Sequence, residues 1–389
     1  MNKVVVFYTR FLILLSFVLF PYIYLKIFLR GRKGKKDEQI RILVAPQLTR
    51  IGDLVATTPV FRAIKKRYPN SFVSVMSSAN AAGIIKHNPW IDEIIEIEDY
   101  QNDFFGLLKK IRKEKFHAGI SLSGSALSSV IFFYGLIPAR IKTTRPDRSL
   151  AEFLSDWMCT ITESYRELSY LPLFYLKMLR HLNINSSDDT KEVFLNKVSN
   201  ARIADFFAKE NILSSNVVIG LSLTAGNKVK EWGDDNFEAL IRELRKKYDI
   251  KIVFIGAQRE RGRVNAMIKK IGDPNCINAS GFSIEDLPSL MRRFSVFIAV
   301  DTGPIHVAHA LGIPLIDILG PVNDIELTPK GENIKILKPD PYVPPTIFAF
   351  KESGDKKLTQ LALRSIHVDQ VIAAFADLSK GIFLREKIR

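Results

Sequence analysis

The run Asp301-Thr-Gly-Pro-Ile-His-Val-Ala-His-Ala-Leu-Gly-Ile-Pro314 constrains this chain most, because apolar segments flank it on both sides. Phe294-Ser-Val-Phe-Ile-Ala-Val300 is rich in Val, Ile and Phe and reads as a buried parallel strand. Leu315-Ile-Asp-Ile-Leu319 reads as a second strand, stopped by Gly320-Pro321. Between them, residues 305–311 suit a short helix that Gly312-Ile-Pro314 closes. Asp301, Thr302 and Gly303 then occupy a turn at a strand's carboxyl end. Pro304 takes the first helical position, where its missing N–H would be unpaired anyway. Backbone N–H groups at a helix N-terminus, beside a hydroxyl and a bare glycine, form a place that binds phosphate. His306, one turn in, can point back at the same anion. Taken singly, Asp301 or Thr302 reads as a helix cap and His306 as a satisfied buried histidine. Together in one strand-to-helix turn they read as a ligand site.

The remainder of the chain follows the same alternation. With 389 residues, 47% of them hydrophobic, two domains with separate cores are expected. Strands at 41–45, 72–76, 93–97 and 118–122 alternate with helices at 55–68 and 104–114, the pattern of a doubly wound, largely parallel sheet. Residues 123–190 look helical and apolar. A second alternation has strands at 217–221 and 251–255 and helices at 235–248 and 261–271, and it leads into the Asp301 turn. Residues after Pro321, up to about 357, look irregular, with closing helices at 358–365 and 368–378. The expected division is an apolar segment and basic linker at 1–39, one Rossmann-like domain at 40–200 and a second at 201–389.

Residues 4–29 are almost wholly apolar and aromatic, interrupted by Arg10 and Pro21. A full membrane span needs about 20 such residues. No small-x-small site follows, which argues against a cleavable signal peptide. Residues 1–36 hold eight Lys or Arg and no acid, whereas the rest of the chain carries 48 bases against 41 acids. The formal charge of +15 is therefore concentrated beside the apolar segment. Anionic lipid fits that placement better than nucleic acid, for which there is no motif, and the positive flank puts the rest of the chain in the cytoplasm. The segment either spans the membrane or lies in its interface as an anchor. Two cysteines, Cys159 and Cys276, support neither a disulfide framework nor a zinc site, and a reducing compartment fits them.

Three further places invite chemistry. Arg50-Ile-Gly52-Asp53 lies at the carboxyl end of the first strand, where ligands bind in open α/β sheets. Asp53 there can serve as a general base or simply cap the next helix, and Gly52 lets a substrate approach the backbone. Lys230 stands before Trp232 in a strand-to-helix loop, either holding phosphate or solvated on the surface. Glu260 follows Gly256-Ala257 and is placed either to hold a ribose or to favour a helix N-terminus. No GxGxxG or Walker A sequence is present, so NAD-dependent and ATPase readings lose support.

These segments together resemble glycosyltransferase family 9, the ADP-heptose:lipopolysaccharide heptosyltransferases. Arg50-Ile-Gly-Asp53-Leu-Val-Ala-Thr-Thr-Pro59, with Lys65 and Pro69, is similar to the family's N-terminal signature. Lys230-Glu-Trp232 is similar to its Lys-x-Trp segment. Asp301-Thr-Gly-Pro-x-His306, with Ala310-Leu-Gly-x-Pro314 and Gly320-Pro321, is similar to its C-terminal motif. Gly320-Pro-Val-Asn-Asp324 departs from the Gly-Pro-Thr-Asp common there, and the N-terminal apolar segment is additional. The resemblance implies a GT-B fold of two Rossmann-like domains facing across a cleft, and an inverting transfer without metal or cofactor. By motif, Asp53 would deprotonate the acceptor, with Arg50 and Gly52 in the acceptor-side loop. Lys230 would hold the donor's phosphates or sugar, Glu260 the ribose, Thr302, Gly303 and His306 the diphosphate, and Asp301 the sugar hydroxyls. The implied partners are a nucleotide-diphosphate sugar such as ADP-heptose, a lipid-linked saccharide such as lipopolysaccharide core, and the cytoplasmic face of the inner membrane. Another sugar-nucleotide enzyme of this fold, such as an epimerase, and a saccharide-binding member without transfer are the alternatives.

Overall fold

A computed structural model of the protein describes residues 3–32, 39–166, 168–352 and 354–386, so most of the expected basic linker lies outside the described residues. The chain divides into two compact units, Met1–Thr190 and Lys191–Arg389. The first holds β1 (Arg41–Ala45), β2 (Phe72–Ser77), β3 (Glu93–Glu96), β4 (Ala118–Ser121), β5 (Ala139–Thr144) and β6 (Ile161–Ser164). They form one sheet in the order β3-β2-β1-β4-β5-β6, every pair parallel. The second unit holds β7 (Val218–Ser222), β8 (Lys251–Ile255), β9 (Cys276–Asn278), β10 (Val296–Val300), β11 (Leu315–Ile318) and β12 (Ile334–Leu337). Their order, β12-β11-β10-β7-β8-β9, is the same arrangement read from the other edge, again all parallel. Both are doubly wound sheets whose strand order reverses at the middle pair, β1/β4 and β7/β10, and ligands of such sheets bind beyond the carboxyl ends there.

Central strands are buried on both faces, which is why they read as continuous apolar runs: all five residues of β10 and four of five in β1 are buried. The structure corrects the sequence reading elsewhere. Residues 123–190 are not purely helical, because β5 and β6 lie among them. Arg140 and Lys142 sit fully buried in β5 and break the apolar pattern. Arg140 donates to the carbonyls of Met158 (2.5 Å) and Ile137 (2.6 Å), and Lys142 pairs with Asp156 at 2.7 Å. Their charges are thus satisfied by local partners rather than by water. Residues 334–337, expected to be irregular, form the edge strand β12. The helix expected over 55–68 is two helices, Ile51–Ala56 and Thr58–Arg67, jointed at Thr57.

The apolar N-terminus forms one helix, Lys3–Arg32, continuous through Pro21. By length and composition it suffices to cross a membrane. It packs along the Ala126–Tyr134 helix and belongs to the same core. Val5, Leu12, Ile13, Ile23 and Ile27 are buried, while the Tyr134 hydroxyl donates to the Leu12 carbonyl at 2.8 Å. Arg30 reaches the carbonyls of Gly135 and Leu136, each at 3.3 Å. The Ala126–Tyr134 helix is buried at all nine positions. One side lies on the sheet, where Phe132 packs so closely on Gly119 that a Cβ there would meet its ring at 2.8 Å. The N-terminal helix covers the other.

Candidate active site

In the second unit β10 delivers Asp301 to the carboxyl edge of the sheet, and the Gly303–Ala310 helix leaves from there. Thr302 is the N-cap residue, yet its side chain makes no capping bond. Pro304 has no N–H, and that of Ile305 donates to the Thr302 carbonyl at 3.0 Å. Donation to an anion at this turn therefore falls to the Thr302 and Gly303 N–H groups and the Thr302 hydroxyl, fewer donors than the sequence suggested.

The Lys230 ammonium lies 2.7 Å from Asp301 Oδ2, with the two side chains 17% and 11% exposed. The sequence reading gave these residues separate tasks; the structure joins them. Lys230 ends a short turn, Lys228–Lys230, that Asn227 caps through Val229 N–H at 3.2 Å. Trp232 fixes the other side of the loop. Its indole N–H donates to the Ile366 carbonyl at 2.8 Å, and its ring meets Phe237 edge-on at 5.2 Å. The tryptophan of the Lys-x-Trp segment is thus a core clamp that sets where the lysine stands.

His306 is 4% exposed, and Lys191 Nζ donates to its Nδ1 at 3.3 Å and to the Leu327 carbonyl at 3.3 Å. An ammonium has only donors, so Nδ1 accepts and the ring proton sits on Nε2. Burial first, then the charges of Lys191, His309 and Lys230, hold the imidazole well below its usual range. His306 is therefore a neutral donor, not the cation that a phosphate-binding histidine suggests. Nothing local in the sequence marks Lys191.

Asp317, on β11, is fully buried, and among the described residues neither carboxylate oxygen has a hydrogen-bond partner. Burial pushes its carboxyl well above the ordinary range; the charge of Asp301 adds to this and that of Lys230 opposes it. It lies close enough to the Lys230–Asp301 pair to feel both of their charges. It is not among the site residues expected from sequence, although it is the single charge in Leu315-Ile-Asp-Ile. Glu260 takes the helix-capping option: its Oε2 accepts from the Ala257 N–H at 2.7 Å. Its other oxygen, Oε1, stands 3.6 Å from the Arg259 guanidinium, so a ribose there would share it with that cation. Among the described residues no group of three His, Cys, Asp or Glu side chains is placed to hold a metal ion.

In the first unit Asp53 is 4% exposed and lies inside the Ile51–Ala56 helix rather than in a turn before it. Arg50 holds the N-cap position and is exposed; Gly52 is buried within the helix. Asp53 is thus no cap, though an acid in a first turn does favour the helix dipole. Its backbone carbonyl accepts from the Thr57 hydroxyl at 2.8 Å, which stiffens the joint between the two helices. Tyr175, fully buried in the Leu171–Met178 helix, shares its surroundings. Burial drives the Tyr175 hydroxyl well above its usual range, reinforced by Asp53 and opposed by Arg50 and Arg145. Asp53, Arg50 and Arg145 thus all lie within electrostatic reach of the Tyr175 hydroxyl, and neither Tyr175 nor Arg145 was foreseen.

Comparison with known proteins gives the family of the chain. The model of glycosyltransferase family 9 (heptosyltransferase) matches residues 104–345. Lipopolysaccharide heptosyltransferase 3 of Escherichia coli is 23% identical over 299 residues, 73% of this chain and 84% of that protein. Lipopolysaccharide heptosyltransferase 2 of Salmonella typhimurium is 21% identical over 307 residues, 74% and 85%. Among solved structures, a family 9 glycosyltransferase from Veillonella parvula superposes with a TM-score of 0.73 at 20% identity, over 88% of this chain and 98% of that one. ADP-heptose lipopolysaccharide heptosyltransferase II of E. coli gives 0.68 at 16% identity, over 87% and 98%. The two doubly wound units match the GT-B fold of these enzymes. The chain is a glycosyltransferase, and it belongs to glycosyltransferase family 9.

Proposed function

We propose that this enzyme moves a heptose from ADP-heptose to a saccharide carried on lipid, as in lipopolysaccharide core assembly, with inversion at the anomeric carbon. The Lys230–Asp301 pair at the carboxyl end of β10 carries the reading, with Lys191 and neutral His306 behind the same helix N-terminus. In the transfer the bond from the anomeric carbon to the diphosphate breaks, and the acceptor oxygen forms the new bond from the opposite side. Asp53 takes the acceptor's proton. ADP departs with its charge spread over the diphosphate, where Lys230, the Thr302 and Gly303 N–H groups and the His306 Nε2–H stabilise it. Asp301 fixes Lys230 and offers its remaining lone pairs to sugar hydroxyls, and Glu260 offers the ribose the oxygen that faces Arg259. Relatives named lipopolysaccharide heptosyltransferases, and E. coli heptosyltransferase structures solved with ADP and with ADP-2-deoxy-2-fluoro heptose, support this choice of donor. Lys230, Glu260 and Asp301 to His306 fall within the matched residues, whereas Asp53 lies before them.

The exposed apolar face of the N-terminal helix, next to the basic end of the chain, supports work at the cytoplasmic face of the inner membrane, where a lipid-linked acceptor resides. A thermal-shift panel of ADP-, UDP-, GDP- and dTDP-sugars tests the donor, because a ligand that binds only the folded state raises its stability. Stabilisation by ADP-heptose alone, followed by acceptor-dependent release of ADP, is expected. Turnover of the donor without acceptor would replace transfer with an epimerase-like reaction.

A further inference from the structure

The N-terminal helix carries two apolar stripes. Its inner stripe runs Val5, Thr9, Leu12, Ser16, Ile23 and Ile27, all buried at helical spacing against the domain. Its outer stripe runs Val4, Phe7, Phe11, Leu14, Val18, Tyr22, Leu25 and Leu29, each at least 41% exposed. The polarity is inverted for a water-soluble domain. The two aliphatic hydroxyls face inward, where Thr9 donates to the Val5 carbonyl at 2.7 Å and Ser16 to that of Ile13 at 2.5 Å. The face left outside is purely apolar and aromatic. Arg10 and Lys26 stand about a quarter-turn from its centre, one on each side. Lys26 lies over the Tyr22 ring at 4.3 Å.

The domain also holds this helix along its whole length. Near one end Tyr8 stacks on Phe104 at 6.0 Å and meets Phe105 edge-on at 5.5 Å. In the middle Phe17 and Phe20 pack on Trp157 at 5.2 and 5.1 Å. Near the other end Tyr24 lies 6.1 Å from Phe133, and Arg30 is bonded to the Gly135–Leu136 corner. A helix crossing a bilayer would leave most of these partners. The Ala126–Tyr134 helix forbids that departure, because it is buried at all nine positions and would then expose Phe133 and Tyr134 to water. Phe105, on the domain itself and in contact with Tyr8, is 54% exposed and extends the outer stripe beyond the helix.

We infer that the N-terminal helix is an in-plane membrane helix: it stays docked on the Ala126–Tyr134 helix and lays its outer stripe into the interface of an anionic bilayer. Lipid is the occupant that fits, because this apolar face is flanked by cations, with eight bases and no acid in residues 1–36. The first domain is then held flat on the surface, not tethered below it by a span. This inference rests on the membrane association proposed above, and the test separates the two. Full-length enzyme carrying a depth-sensitive fluorophore at Phe7→Cys, Leu14→Cys or Leu25→Cys, with Cys159 and Cys276 replaced by serine, is mixed with phosphatidylethanolamine–phosphatidylglycerol vesicles. Quenching by lipids brominated at known depths then reports three depths. Equal, shallow depths of about 5–10 Å are expected. A deep Leu14 between two shallow ends, with Phe7 and Leu25 accessible from opposite faces, would overturn the in-plane helix while keeping membrane binding. Absence of vesicle binding, with a stable dimer in sedimentation, would overturn both. Phe11→Glu with Val18→Glu should lower vesicle binding at least tenfold at an unchanged melting temperature; unaltered binding would also overturn the inference.

Discussion

Lys230 Nζ lies 2.7 Å from Asp301 Oδ2, so the cation proposed for the donor's phosphates is held by the carboxylate that ends the central strand β10. The pair is largely hidden from water, which strengthens it, and it fixes the ammonium before any ligand arrives. Lys230→Ala should weaken nucleoside-diphosphate binding at least about tenfold, since a hydrogen bond to a charged group contributes about 1.5–3 kcal/mol. Calorimetric affinity unchanged in this variant, with the fold intact, would mean the phosphates are held elsewhere.

Asp317 is expected to make stability fall as pH rises. Its folded carboxyl is held well above the ordinary range, so its contribution is complete in acid and lost as pH climbs through the raised value. Asp317→Asn keeps the shape and cannot ionise. Its melting temperature should gain on the native protein as pH is raised from about 4 to about 8. Each kcal/mol moves the midpoint of a domain this size by about 2–4 °C. A difference that stays constant with pH would show that Asp317 carries no raised carboxyl.

His306 should have the opposite sign. Its imidazole is held below the usual range, so its contribution is present above the ordinary histidine value and lost as pH falls beneath it. His306→Gln, which keeps a donor and an acceptor, should lose less stability than the native protein between about pH 7 and about pH 5. Donor affinity should show no histidine step in that window. A step near pH 6.5 that vanishes in His306→Gln would instead make the imidazole a titrating cation there.

Removing residues 1–32 should unfold or aggregate the first domain. The sequence places residues 1–39 outside both domains, where their removal would leave the fold intact. The structure argues otherwise, because Val5, Leu12, Ile13, Ile23 and Ile27 close its core. At about 1.5–3 kcal/mol for each buried side chain, their loss is comparable with the whole stability of an ordinary domain, about 5–15 kcal/mol. A deletion variant with a sharp, native-like melting transition would contradict this packing.

The parts legible in the sequence share a physical cause. β10, the Asp301 turn and the Gly303–Ala310 helix could be read because a strand buried on both faces is a pure apolar run and its turn is punctuated by Gly and Pro. β5 could not, since Arg140 and Lys142 are buried there on partners that no local pattern predicts. β12 is a four-residue edge strand whose residues are all only half-buried, too weak a signal. Lys191 and Tyr175 reach their sites only through tertiary packing. The pairing of Lys230 with Asp301, 71 residues apart, is likewise a property of the sheet and not of either motif.

Transfer with Asp53 as the proposed base is tested most directly by Asp53→Asn. Asparagine keeps the shape of a buried side chain in the Ile51–Ala56 helix and removes the proton acceptor. The measurement is the steady-state rate of acceptor-dependent ADP release from ADP-heptose, taken beside donor affinity and a melting curve. A rate lower by about 10²–10⁴-fold is expected, the usual contribution of a positioned base, with donor affinity and melting temperature preserved. Near-normal turnover would contradict it, and a collapsed melting temperature with proportionate loss of activity would assign Asp53 to the fold instead.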